Sequence, residues 1–360
     1  MTTKFDIKLT PLIYNDKHIT DTRLELQFKG KHVNYILLNT LRRTILQLVP
    51  IYAFDKRYIT ISKNSSVFNN DEMKDRLSNF PVINIENSVS NLDHVDRLEK
   101  QVYDDLIEHE TPPEEPIVVM TADNLAATVD EDAITAIDPT KIASITELNM
   151  RVDRVNNTDA VLNVTTRDCQ FFLNGKLIDN IYPDDILVIQ LKPSEYFSSV
   201  CIAKLGIALK SDIWTPTSIC VHEEINMNEY IFKLEACSQL DEFELIRRAC
   251  AITNRKIAKI KNIIVNKKYD SSEHKGKIIL TSETHTIGNI FTDVLQNHPN
   301  ILFAGYKQDH QLIAEIQIDY RTNGGKSINV IFDEVTDTIT AIFDHIVKEV
   351  DHCVKHLKSK

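Results

Sequence analysis

With 360 residues, 26% charged and 42% hydrophobic side chains, the chain exceeds one typical domain and has the balance of a soluble globular protein, so two or three domains are expected. It carries no basic, apolar leader and no run of eighteen apolar residues, so neither secretion nor a membrane span is expected. The net charge of −11 is concentrated between Ile83 and Thr140, where fifteen Asp or Glu face two Arg or Lys, a local balance of −13 that leaves the remainder near +2. Without a basic stripe interleaved with aromatics, direct binding of DNA or RNA is disfavoured.

In chain order, FDIKLTPLIY and TRLELQFKG read as two strands, the second with Leu24, Leu26 and Phe28 alternating before Gly30. YILLNTLRRTILQLVP follows, from Tyr35 to Pro50. Its apolar residues Leu37, Leu38, Leu41, Ile45 and Leu48 gather on one face of a helix, with Arg42 and Arg43 off that face. Asn39 lies near the expected helix start, where a short polar side chain can take up free amides, and Pro50 stops the helix. Tyr58, Ile59 and Ile61 suit a further strand. Asn70 to Val82 suits a short amphipathic helix with Met73 and Leu77 four apart.

The acidic stretch contains LDHVDRLEKQVYDDLIEHE, a plausible helix, and Thr111 to Pro116, TPPEEP, a loop or hinge. IVVMTADNLAATV could hold a strand, and Leu148 to Thr165 is strand-rich. Asn174-Gly175 marks a tight hairpin and Pro183-Asp184-Asp185 another turn. Strands are expected on both sides of Gly206, with the single tryptophan, Trp214, as a packing residue. YIFKLEA is a clean strand. After it, Phe243, Ile246, Cys250, Thr253, Ile257, Ile260 and Ile264 step by three and four along a long helix. Asn266 to Gly276 is polar and reads as a linker.

The last part repeats the opening plan. Strand KIILTSE leads to THTIGNIFTDVLQNHP, from Thr284 to Pro299, a fainter copy of the first helix sentence in which Asn289, like Asn39, lies about ten residues ahead of its proline, Pro299 or Pro50. ILFAGYK and LIAEIQIDYRT are strands with turns at Gln308 to His310 and Asn323 to Gly325. A final helix from about Asn329 to Leu357 carries Val335, Ile339, Ile342, Ile346, Val350, Cys353 and Leu357 on one line. The expected fold is α+β: two related units of sheet packed on long helices, the first interrupted by a β-rich insert. The two long apolar stripes would be buried by pairing the units within one chain, an intramolecular pseudo-dimer.

These residues resemble a known family. NTLRRTILQLVPIYAF (Asn39 to Phe54), DDILVIQL, CIAKLGIALKSDIWTPTSI (Cys201 to Ile219) and YIFKLEA resemble the alpha subunit of bacterial RNA polymerase and the third-largest subunit of eukaryotic and archaeal RNA polymerases. HTIGN (His285 to Asn289) and ILFAGYKQDH (Ile301 to His310) resemble the small eleventh subunit, which pairs with the third-largest one. A single chain holding both is similar to the fused subunit of large cytoplasmic DNA viruses of the asfarvirus type.

The resemblance implies a discontinuous dimerisation domain over 1–54 and 204–265, an insert over 55–203 with its acidic segment at 83–140, a linker at 266–275 and an eleventh-subunit-like module over 276–360. It implies a non-catalytic platform on which the second-largest and largest subunits dock and small polymerase subunits attach, with no cofactor, no membrane and no sequence-specific DNA contact. Host cytoplasm and virion are the implied location for a viral source, the nucleus otherwise. Asn39, Thr40, Leu41, Arg42 and Arg43 would form the subunit interface. Leu38, Ile45, Phe243, Ile246, Ile257, Ile260, His285, Gly288, Asn289, Phe303, Ile339, Ile342 and Ile346 would form the pseudo-dimer interface.

Two departures carry weight. The insert holds only Cys169 and Cys201, without the clustered cysteines that bind zinc or an iron-sulfur cluster in some family members, so no metal is expected there. The positions matching Arg42 and Arg43 in the second copy are Thr292 and Asp293, so the two faces of the pair should differ.

Against these readings stand plainer ones: a solvated helix face for the arginines, a capping or packing role for His285, and a solvated or subunit-contacting surface for the acidic insert. His222-Glu223-Glu224 lacks the second histidine of a metalloprotease helix, and no glycine-rich phosphate loop is present. The competing functions are a stand-alone hydrolase or transferase using scattered carboxylates, and a self-associating structural protein.

Overall fold

The computed structural model describes residues 5–15, 23–83, 92, 94–110, 148–237, 239–267, 274–310 and 313–358. The expected loop at Thr111 to Pro116 and the strand in IVVMTADNLAATV lie outside the described residues, as does most of the expected linker. The chain is α+β, with helices packed on antiparallel sheets.

In the first unit, β1 (Lys8–Asn15), β2 (Arg23–Lys29), β10 (Thr217–Asn226) and β11 (Glu229–Ala236) form a sheet in the order β1-β2-β11-β10. Leu24, Leu26 and Phe28 of β2 and Tyr230, Phe232 and Leu234 of β11 turn to the buried side. That is the alternation a one-sided antiparallel sheet requires. Against it lie α1 (Tyr35–Leu48) and α4 (Glu242–Lys267). The second unit repeats this with β12 (Lys275–Thr281), β14 (Glu315–Thr322) and β13 (Ile301–Lys307) in the order β12-β14-β13, and with α5 (His285–Gln296) and α6 (Ile328–Lys358).

The apolar stripes of the four helices meet. Leu38 and Ile45 of α1, Phe243, Ile246, Ile257 and Ile260 of α4, and Ile339, Ile342 and Ile346 of α6 belong to one continuous hydrophobic cluster with both sheets. A polar rim lines α4 and α6: Arg247 Nε donates to Asp351 at 2.9 Å, Asn254 Nδ2 to Asp344 at 2.8 Å and Lys261 Nζ to Asp337 at 2.6 Å. Such rim pairs add little each, and the apolar side chains carry the contact. The free edge of β1 is covered by α6, where the Leu9 amide donates to Glu349, His345 Nε2 lies 2.9 Å from the Ile7 carbonyl and the Cys353 thiol meets the Leu9 carbonyl.

The remaining strands have a separate core. β3 (Ile51–Asn64) pairs with β9 (Tyr196–Gly206), and β4 (Leu148–Val155), β6 (Gln170–Leu173) and β7 (Lys176–Ile178) extend that sheet in the order β3-β9-β4-β6-β7. β5 (Leu162–Thr165) and β8 (Leu187–Leu191) form a second small sheet, and α2 (Asn70–Ser78) adds Met73 and Leu77 to the core between them. The β6–β7 hairpin turns on Asn174 at φ 50° and Gly175 at φ 78°, the left-handed pair a two-residue turn demands. At the root of this part Trp214 lies against Gly206, where a Cβ would enter the indole ring, and its Nε1 donates to the Lys204 carbonyl at 3.0 Å.

Helix α3 (Val95–Glu110) departs from the sequence reading, which places it with the insert. Val95, Leu98 and Val102, spaced three and four apart, are buried in the cluster of the two paired units instead. Three further expectations need correcting. Asn34 caps α1, its Oδ1 accepting from the Leu37 amide at 2.8 Å, while Asn39 lies inside the helix. Phe303 is 53% exposed on β13, the outer strand of its sheet, and so is not part of a buried contact between the units. Gly288 is buried against Tyr306 and Ile316 of its own sheet, where a Cβ would collide, so its smallness serves helix-on-sheet packing within one unit.

Candidate docking site around the first helix

The site begins with the local chemistry of α1. Fourteen residues of helix with Leu37, Leu38, Thr40, Leu41, Thr44, Ile45 and Leu48 buried leave a narrow ridge for other work. Thr40 at 2% and Leu41 at 0% exposure are spent on the core, which removes them from the expected subunit interface. Asn39, Arg42 and Arg43 remain on the partly buried ridge. Adjacent helix positions diverge by about 100°, so the two guanidinium groups leave in different directions.

Arg42 turns toward the β10 edge of the first sheet. Its Nε and Nη2 donate to Asn39 Oδ1 at 3.1 and 2.8 Å, an i, i+3 arrangement that fixes the side chain. Burial first, and the nearby Arg42 charge second, hold the His222 imidazole below its ordinary pKa. Tyr35, 56% exposed, starts the same helix.

Arg43 turns toward α5. It lines a cavity of about 380 Å³ with Gln47 of α1, Tyr103 of α3, Lys256 of α4 and Thr284 to Ile287 at the start of α5. Its Nε is buried without a hydrogen-bond partner. Thr284, at the N-cap position of α5, makes no side-chain capping bond, so the helix's free amides and positive end share this cavity with a cation. His285 is exposed at the same end, its ring edge-on to Tyr306 with centroids 5.8 Å apart. Asn289 is partly buried one turn further on.

The other end of the α1–α5 contact has the opposite charge. Asp293, which occupies the place of Arg43 in the second copy, accepts from Asn34 Nδ2 at 3.0 Å at the start of α1. There a carboxylate complements the helix dipole. The second copy thus satisfies the first helix, whereas the first copy leaves an unpartnered arginine at the second helix. Asn34→Ala is expected to cost about 1 kcal/mol of stability, and somewhat more through the lost Asp293 contact; urea unfolding of the variant measures it.

Beside this cavity lies a buried cluster that the sequence reading missed. Lys256 Nζ donates to Glu99 of α3 at 2.9 Å and to both oxygens of Glu283, just ahead of α5, at 3.3 and 3.2 Å. All three residues are at most 8% exposed. Burial pushes the Glu283 carboxyl up to about 7; Lys256 opposes the shift and Glu99 adds to it. Burial works against the Lys256 ammonium, yet Glu283 and Glu99 together hold it above the ordinary lysine range. A signal was available: Lys256 falls between Thr253 and Ile260, three and four residues away on the apolar stripe of α4.

Among the described residues no group of three or more metal-ligating side chains gathers, and no helix is long and apolar enough to cross a membrane. Burial raises the Cys201 and Cys220 thiols to about 12, far from the thiolate a nucleophile needs. The buried Arg43 Nε without a partner suits an acidic group brought to α1.

Comparison with known proteins gives this arrangement a context. Residues 275–349 match the RNA polymerase Rpb3/Rpb11 dimerisation domain. The chain is 26% identical over 341 residues to the DNA-directed RNA polymerase subunit R470 of Acanthamoeba polyphaga mimivirus, covering 91% of this chain and 88% of that one. It is 31% identical over 64 residues to the DNA-directed RNA polymerase II subunit RPB11 of Plasmodium falciparum, covering 18% of this chain and 51% of the relative. A similar match, 33% over 60 residues, links it to RPB11 of Plasmodium chabaudi chabaudi, with 17% and 48% covered.

Proposed function

From a chain that is an alpha-like subunit of a DNA-directed RNA polymerase, we propose the role of a non-catalytic assembly platform in which the two alpha-like units pair within one molecule and the ridge of α1 captures the second-largest subunit. The largest subunit docks next, and small polymerase subunits attach. The units correspond to residues 1–54 with 204–265, and to 276–360, with 55–203 as the insert except for α3, which packs back on the paired units. A host-cytoplasmic and virion setting fits the viral relative.

The observation that carries this reading is Arg43, whose Nε is buried without a partner in an open cavity. A guanidinium whose Nε is left unsatisfied within a single chain is suited to a carboxylate or to loop carbonyls brought by another. Arg42, held by Asn39, is prepared at little further entropic cost.

Replacing Arg42 and Arg43 together by alanine is expected to leave the melting temperature nearly unchanged. Capture of the co-expressed second-largest subunit should weaken by about 2 kcal/mol or more, roughly thirtyfold. Unchanged capture in a quantitative pull-down overturns the docking role.

A further inference from the structure

We propose that α3 is an internal placeholder, and that the groove it occupies beside Arg43 receives an acidic segment of the second-largest subunit, with α3 leaving as that segment docks. The inference rests on the docking role of α1 and adds to it what the partner's contacting segment is made of and what it must displace.

Charge is the first argument. Residues Val95 to Glu110 carry six Asp or Glu against two Arg or Lys. On the α4 side Lys256 is shared between Glu99 and Glu283, and the net positive charge the groove offers there is that of Lys259, which pairs with Asp96. Arg43 stands at its α1 end, and the positive end of α5 opens into the same cavity. An acidic helix lies in the groove now, so an acidic segment is what the groove fits.

The second argument is how α3 is held. A buried ion pair normally cannot be parted without leaving a buried charge alone. Here the count of charges removes that obstacle. With α3 in place, one ammonium serves two carboxylates; without it, Lys256 keeps Glu283 at 3.2 Å and the pair is neutral. Departure of Glu99 therefore leaves no orphan, and it removes a like charge that adds to the effect of burial on the Glu283 carboxyl. The other groups facing Glu283, namely Arg43, Tyr103, Lys259 and His285, belong to the same cavity or its rim.

The third argument is incomplete packing. α3 contributes only Val95, Leu98 and Val102 to the core, the last two at 8% and 7% exposure where most of that core lies below 4%. Between α3 and Arg43 a cavity of about 380 Å³ remains, and Tyr103 leaves the Arg43 Nε unsatisfied. A ligand made for the groove would fill both.

A placeholder taxes the partner's affinity by the fraction of molecules in which the groove is closed. The test is amide hydrogen exchange of the full chain, free and in complex with the co-expressed second-largest subunit, with capture assays of Leu98→Asp and the gentler Glu99→Gln. The α3 amides should be protected in the free chain and lose protection in the complex, and both variants should capture the partner roughly three- to tenfold more tightly. Protection of α3 that persists in the complex overturns the placeholder, as does capture by the folded Glu99→Gln protein that is unchanged or weaker. Arg43→Ala separates the two levels. If it weakens capture while α3 stays protected in the complex, docking at α1 stands and the placeholder fails; if it leaves capture intact, the docking role itself fails.

Discussion

Lys256→Met is expected to destabilise the chain by about 3–5 kcal/mol at pH 7.5, the range for removing one partner from a buried ion cluster. The methionine fits the apolar stripe of α4, so the loss comes from charge: Glu99 and Glu283 remain without their ammonium. The pH dependence identifies the cause. In the natural protein the Glu283 carboxyl is raised to about 7 from an ordinary 4.5. Between those values the folded chain holds a proton that the unfolded chain has released, so this group's contribution falls as pH rises and its penalty is complete above about 7. Without Lys256 the upward push is stronger and the fall steeper. Urea midpoints at pH 5 and pH 7.5 should therefore differ more in the variant than in the natural protein. An equal loss at both would assign the effect to packing.

Ile339→Ala should cost about 2–5 kcal/mol, because a fully buried side chain on α6 is cut back and leaves a cavity. The shape of the transition says more than its position. Ile339 belongs to a cluster that runs without interruption through α1, α4, α5 and both sheets. A single displaced transition is thus expected for the two units in denaturant followed by circular dichroism. Separation into two steps, with the second unit melting early, would show that each holds its own core.

Most of the fold was legible because its elements declare themselves by period. The stripe of α6 from Val335 to Cys353 and the alternation of β11 are local patterns, and each surfaced at its expected place. What escaped was set by distant partners. Asn34 rather than Asn39 caps α1, since the helix starts four residues earlier than its asparagine-threonine sentence suggests. The destination of α3 was hidden because a stripe of Val95, Leu98 and Val102 states only that a helix has an apolar side, not which core it meets. Phe303 was misplaced for the opposite reason: in an outer strand with a shifted register between Ile301 and Phe303, alternation no longer tells inside from outside. At the candidate site, the arginines and the unequal second copy, with Thr292 and Asp293 in their places, were both visible. What was not visible is which helix start each charge meets: Asp293 lies at one and Arg43 at the other.

The way β3 and β9 run side by side bears on how such a chain could arise and fold. Ile51 lies opposite Gly206, Tyr52 opposite Leu205 and Phe54 opposite Ala203, and Gln239 ties Tyr52 to the Val82 carbonyl at the same place. Everything between these strands leaves and returns through neighbouring backbone positions. Apart from α3, which packs back on the paired units, the excursion is equivalent for the first unit to a hairpin, whose closure entropy grows only with the logarithm of its length. Material of almost any size or composition can be spliced at that ribbon, or exchanged there, while the host condenses around the same β2–β11 pairing.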